Sequence, residues 1–307
     1  MKEVTDHAAS VRQRLLNLAR ERNEDFQVVL ADYAIERLLF RLGRSEHRVR
    51  FVLKGATLFR IWGAARHRAT WDLDLLAVDP LGRPDNSVEG ISEFIEQLCA
   101  LEFEPDGIRF DSSTLRVAPI ETSEARVGIR ARLIAHLAAA RIPVQIDIGF
   151  SDAGIDTPPT TFPTLLELPA PEILAYRREA VVAEKFEAMV ALGLRNSRMK
   201  DYFDLYVLAN DHELDGEALW TATKATFERR GAAAPTHVPL ALSQTFGSEP
   251  GREVHWRAFL RRARLAEAPS SLAELIPKVV ELVMPVSRAL AAGEAFPRTW
   301  VPGGPWR

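Results

Sequence analysis

Apolar residues fall at helical spacing over 7–22 and again over 24–42, as in Val11, Leu15 and Leu18, then Val29, Ala34 and Leu38, with charges between them. The spacing predicts two bracing helices, the second ended by Gly43. The pattern then shortens: Phe51–Leu53 and Trp71–Val78 read as strands, joined by a Gly-Ala turn and a short helix over Thr57–Trp62. Pro80–Asn86 is rich in turn formers, and Val88–Phe103 is amphipathic, with Ile91, Phe94, Ile95 and Leu98 inward. Extended segments follow at Ile108–Val117, Arg126–His136 and Ile142–Ile148. In the middle one, Val127, Ile129, Ala131 and Leu133 alternate with Arg126, Gly128, Arg130 and Arg132, so one face is apolar and the other basic.

A proline-rich stretch, Asp156–Pro171, suits neither continuous helix nor central strand and reads as a link. Beyond it the periodicity is helical: Glu172–Leu192, Arg198–Asn210, Gly216–Arg230, Val254–Ala266 and Leu272–Ala291, the last expected to kink or split at Pro277 or Pro285. Gly231–Gly251 reads as an irregular loop and Gly293–Arg307 as a loosely held tail. The expectation is an α+β chain of two lobes: a sheet lobe over 1–155, a link over 156–171 and a helical lobe over 172–307.

Composition narrows the function classes. A chain of 307 residues with 47% hydrophobic content can bury a full core. Its net charge of −3 offers no global attraction to nucleic acid or membrane, so such binding must rest on local patches. The single cysteine, Cys99, excludes an intramolecular disulfide framework and a cysteine-cluster zinc site. No apolar run nears membrane-spanning length and no basic-then-apolar leader opens the chain, so a cytoplasmic protein with no membrane partner is expected.

The chemistry concentrates in residues 51–79. Asp72 and Asp74 stand at i and i+2 on one strand, so both carboxylates face the same way. Like charges so placed are costly unless a cation neutralises them, and a hard cation such as Mg²⁺ takes carboxylate oxygens. A solvated strand end is the plainer alternative. Upstream, Lys54 and Gly55 open a helix, where a bare glycine lets main-chain N–H groups approach a phosphate. Phosphate cradle and carboxylates together make a nucleotide site.

The run KGATLF followed by Arg68-Ala69-Thr70-Trp71-Asp72-Leu73-Asp74 resembles the core of the nucleotidyltransferase superfamily, and more narrowly the AbiEii/AbiGii toxins, which include the MenT toxins. Val144–Ile148 is similar to that family's third-carboxylate strand, which implies Asp147 as the third ligand if that strand lies beside the Asp72–Asp74 strand; a strand-end residue before the Gly149–Asp152 turn is the plainer alternative. Ala183-Glu184-Lys185 and Arg198–Leu205 resemble its helical motifs, and the likeness spans about residues 50–208. Ala56 departs from the usual glycine or serine; Thr70, two residues before Asp72, is the expected source of the missing hydroxyl.

The resemblance implies a nucleotidyltransferase-like mixed sheet with flanking helices and a helical second lobe. It implies nucleotidyl transfer from a nucleoside triphosphate, with Mg²⁺ on Asp72, Asp74 and Asp147. Lys185 is expected to face these carboxylates across a cleft, oriented by Asp201, with Asp204 paired to Lys200. The resemblance also implies the toxin half of a toxin–antitoxin or phage-defence pair, a cognate antitoxin, and an RNA acceptor such as the tRNA 3′ end. Arg66 and Arg68, Arg130 and Arg132, and Arg257 and Arg261 form basic clusters that suit phosphates, although most such faces are simply solvated. Two alternatives stay open: a catalytically silent binding or sensing module, which Ala56 favours, and transfer to a protein or small-molecule acceptor.

Overall fold

A computed structural model describes residues 6–63, 68, 70–78, 87–103, 106–120, 128–151, 157–265 and 267–307. The chain divides into two compact units: Met1–Gly63 with Ala69–Tyr176, and Ala64–Arg68 with Arg177–Arg307.

In the first unit, α1 (His7–Glu21) and α2 (Phe26–Arg44) are started by Asp6 and Asp25, whose carboxylates accept from the main-chain N–H of Ala9 and Gln27. Then come β1 (Phe51–Lys54), α3 (Leu58–Ile61), β2 (Asp72–Val78), α4 (Val88–Ala100), β3 (Ile108–Ile120), β4 (Gly128–Leu137), β5 (Ala140–Ser151), β6 (Pro159–Thr161) and β7 (Glu172–Ala175). These strands form one mixed sheet ordered β3-β4-β5-β2-β1-β7-β6. β2 runs parallel to β5 and antiparallel to β1, and β4 is antiparallel to both β3 and β5.

One sheet face is core. Ile129, Ala131, Leu133, Ala135 and Leu137 of β4 are buried, as are Ile142, Val144, Ile146 and Ile148 of β5. The alternation thus sends Arg130 and Arg132, and with them Gln145 and Asp147, to the opposite face. α2 is buried along most of its length, from Val29 to Leu42, and carries Arg41 into the interior, where it pairs with Asp106 at 2.7 Å beside the start of β3.

The proline-rich stretch behaves differently from the expected link. Its described part supplies β6, paired with β7, and the predicted helix from Glu172 begins only at Arg178 because Glu172–Ala175 adds to β1 as a strand. Prolines survive there because β6 is an edge strand.

The second unit holds α5 (Arg178–Leu192), α6 (Met199–Asp211), β8 (Leu214–Asp215), α7 (Gly216–Arg229), α8 (Gln244–Gly247), α9 (Pro250–Ala263), α10 (Leu272–Ala292) and β9 (Thr299–Trp300). The expected irregular loop contains the short α8, while α10 runs unbroken through Pro277 and Pro285. Its buried stripe, Leu275, Ile276, Val279, Leu282, Val283 and Val286, gains more from packing than two missing main-chain bonds cost. Nor is the C-terminus loose: β9 pairs with β8, and Trp300 is fully buried with its indole N–H donating to the Ala209 carbonyl at 2.7 Å. No helix among the described residues is long and apolar enough to cross a membrane.

Candidate active site

Strand pairing draws the acidic residues into register. Parallel pairing of β2 with β5 sets Asp74 opposite Asp147 and Asp72 opposite Gln145. The neighbouring ladders extend both rows: Lys54 of β1 is the partner of Asp74, Arg130 of β4 that of Asp147, and Arg132 that of Gln145. Residues opposed in a ladder share a face. One row therefore reads Lys54, Asp74, Asp147, Arg130 across four adjacent strands, and the next reads Asp72, Gln145, Arg132. β3 adds Arg116 opposite Arg132. The sequence shows the two-residue spacing on β2, but Gln145 and Arg116 carry no local signal and become visible only through the pairing.

Gly55 sits with φ of +72°, and a Cβ there would lie 2.0 Å from Asp74 Oδ2. The missing side chain therefore makes room for the Asp74 carboxylate, and the left-handed turn itself favours glycine. α3 spans only four residues, too few to offer the helix-end field expected for a phosphate. Thr57 of the same turn donates from its hydroxyl to the Asp72 carbonyl at 3.4 Å, tying the turn to the start of β2. Lys54 reaches toward β5: a Cβ on Gly149 would stand 3.0 Å from its ammonium, so the bare glycine leaves that ammonium its space. Thr70 precedes β2 instead of lying on it, and its hydroxyl is enclosed without a hydrogen-bond partner among the described residues.

Asp147 is engaged by Arg130 through both oxygens, with Nε to Oδ1 at 2.7 Å and Nη2 to Oδ2 at 2.6 Å. The hydrogen bond to Asp147 holds the Arg130 guanidinium above its ordinary proton affinity; burial opposes this, and the charges of Asp147, Asp72 and Asp74 add to it. All three carboxylates thus act on one cationic group. Arg132 donates to Gln145 at 2.9 Å.

As they stand, no three acidic, histidine or cysteine side chains among the described residues are grouped as metal ligands. The donor chemistry nonetheless suits a hard divalent cation, since carboxylates of β2 and β5 share one face and their charges act on one cationic group. Asp147 would have to exchange the guanidinium for the metal.

A second charged cluster lies in the helical unit. Lys185 of α5 contacts Asp201 Oδ1 at 2.6 Å and Asp204 Oδ2 at 2.8 Å. Asp204, fully buried, also takes the Arg68 guanidinium through both oxygens at 3.1 Å. Burial pulls the Lys185 ammonium toward neutrality, but the two aspartates outweigh it and raise its pKa. Lys185 is therefore a fixed positive charge, not a base, its ammonium held by Asp201 and Asp204. The expected Asp204–Lys200 pairing is replaced by Lys185 and Arg68, because α6 turns Asp204 inward while Lys200 is exposed. Arg68 is accordingly engaged in an ion pair with Asp204. Arg66 and Arg126 lie outside the described residues. Arg257 and Arg261 line a groove of about 590 Å³ on α9 with Leu260, Arg264 and Leu265, and Arg257 also pairs with Glu253 at 3.2 Å.

No curated protein matches the sequence. A crystal structure from H. pylori described as a nucleotidyltransferase shares 12% identity and a TM-score of 0.45, covering 86% of this chain and 95% of that one. The crystal structure of JHP933 from Helicobacter pylori shares 13% identity and a TM-score of 0.44, covering 84% of this chain and 88% of that one. The family model described as nucleotidyl transferase AbiEii toxin, type IV toxin–antitoxin system, matches residues 37–282. The chain belongs to that family and is a nucleotidyltransferase of a toxin–antitoxin system.

Proposed function

We propose that the protein transfers a nucleotidyl group from a nucleoside triphosphate to RNA, with the tRNA 3′ end as the acceptor to test first and a cognate antitoxin as its partner. The observation that carries this reading is the register of β2 with β5, which sets Asp72, Asp74 and Asp147 on one sheet face. In the reaction the acceptor hydroxyl oxygen bonds to the α-phosphorus, the bond from that phosphorus to the bridging oxygen breaks, and pyrophosphate leaves. Asp72, Asp74 and Asp147 would hold Mg²⁺, which would supply positive charge to the triphosphate. Asp147 lies on the strand nearer the arginines and accepts the hydroxyl proton or orients its donor. Lys54 and the Gly55 turn take the triphosphate, with the Thr70 hydroxyl as a further donor. Arg130, in the row of Asp74 and Asp147, and Arg132 and Arg116, in the next, form a basic group beside the carboxylates that suits the acceptor's phosphates. Lys185 and Asp201 contribute a preorganised charge pair, by the likeness of their motifs to the family's.

Incubation with each labelled triphosphate, Mg²⁺ and total RNA tests this. Wild type should label RNA, and Asp72→Asn and Asp74→Asn should each lower the rate by at least a hundredfold, the scale on which one charge-stabilising group matters, with unchanged circular dichroism. Label on protein with none on RNA would sink the RNA reading; full activity in either variant would sink the carboxylate assignment.

A further inference from the structure

The Arg130–Asp147 pair is set by the backbone: the two residues are ladder partners on β4 and β5, and the guanidinium covers both carboxylate oxygens. A planar fork on two oxygens leaves Asp147 acting as a counter-ion, not a ligand. The pair is also open to water, with the Arg130 side chain 34% exposed and that of Asp147 19% exposed. A pair within reach of water can exchange partners, and its bidentate fork sets the strength a competing cation must overcome. The same guanidinium feels Asp72 and Asp74, so it stands where a metal's charge would be answered by the same three groups.

We propose that Arg130 is a latch: its fork and a divalent cation compete for the Asp147 oxygens, and the cation must displace the guanidinium before Asp147 joins Asp72 and Asp74. This rests on the carboxylates being the metal site. Arg130 is then a positioning residue, acting through Asp147. Because the fork competes with the metal for the same oxygens, each weakens the other's hold by the same factor. Lysine at 130 keeps the charge but loses the fork. Arg132, two ladder positions along on the same face, supplies equal charge and donates to Gln145 instead of Asp147.

The test is Mn²⁺ binding to the full chain without nucleotide, by calorimetry or by the electron paramagnetic resonance of free Mn²⁺. Arg130→Lys and Arg130→Gln should each bind Mn²⁺ about tenfold more tightly than wild type, the fold-change matching loss of one charged hydrogen-bonded contact. Arg132→Ala should stay within about twofold, and Asp72→Asn should lose binding. Arg130→Lys and Arg130→Gln both binding as wild type does, while Asp72→Asn loses binding, would overturn the latch and leave the metal site standing. Equal tightening in Arg132→Ala would overturn it too, by reducing the effect to charge alone. Wild-type binding in Asp72→Asn would instead remove the metal reading beneath it.

Discussion

Gly55 shows how a single position joins backbone conformation to the site. Its φ of +72° lies in the region that costs other residues about 1–2 kcal/mol, and the place of a Cβ is taken by the Asp74 carboxylate at 2.0 Å. Neither constraint alone demands glycine as strongly as the two together. Gly55→Ala should therefore lower stability by about 1–2 kcal/mol in urea titration and also displace Asp74. Activity should fall by more than that stability loss explains, when measured on fully folded protein. An alanine variant with wild-type turnover would mean that the placement of Asp74 is not critical.

Among the elements, α2 carries a titratable group where amphipathic spacing would put an apolar one. Glu36 is fully buried, accepts the Leu165 main-chain N–H at 2.6 Å and pairs with Arg37 at 3.2 Å. Burial nevertheless pushes its pKa up from 4.5 to about 7, with Arg37 and the Leu165 bond opposing. A carboxyl whose folded pKa is raised binds more protons folded than unfolded, so stability falls as pH rises through that interval. The loss should run from about pH 4.5 to about pH 7 and total about 3 kcal/mol. Chemical denaturation across that range should show the slope, and Glu36→Gln should remove this part of it. An unchanged slope in the variant would assign the pH dependence elsewhere.

Over the chain as a whole, the last residues close the helical unit. Trp300 is fully buried with its indole bonded to Ala209, Trp306 stacks edge-on against it at 5.4 Å, and the Gly216 N–H donates to Arg298 at 2.7 Å. Trp300→Ala should cost about 3–5 kcal/mol, the range for emptying a large aromatic site. Urea unfolding of the full chain, followed by circular dichroism, would measure it; a loss below about 1 kcal/mol would show the tail to be dispensable. The terminal proline and glycine content conceals this role, because those residues mark turns without saying what the turns deliver into the core.

Local periodicity decided much of this protein. The helices α1, α2, α4, α6 and α7, the strands β1 to β5, the basic face of β4 and the common direction of Asp72 and Asp74 all follow from which neighbours are apolar. Each of these depends on residues a few positions apart, and so do the motifs that resemble the family. What depends on residues far apart in sequence is settled only by folding. Asp147 meets Asp74 because β5 pairs in parallel with β2, and Arg130 claims Asp147 because β4 lies next to β5. Glu172–Ala175 is a strand because β1 offers it an edge, against its own helical pattern. Asp204 answers Lys185 and Arg68, at separations of 19 and 136 residues, instead of Lys200 four residues away. A side chain's face is written in its neighbours; its partner is chosen by tertiary contacts, where burying an unpaired charge costs far more than any preference of the local chain.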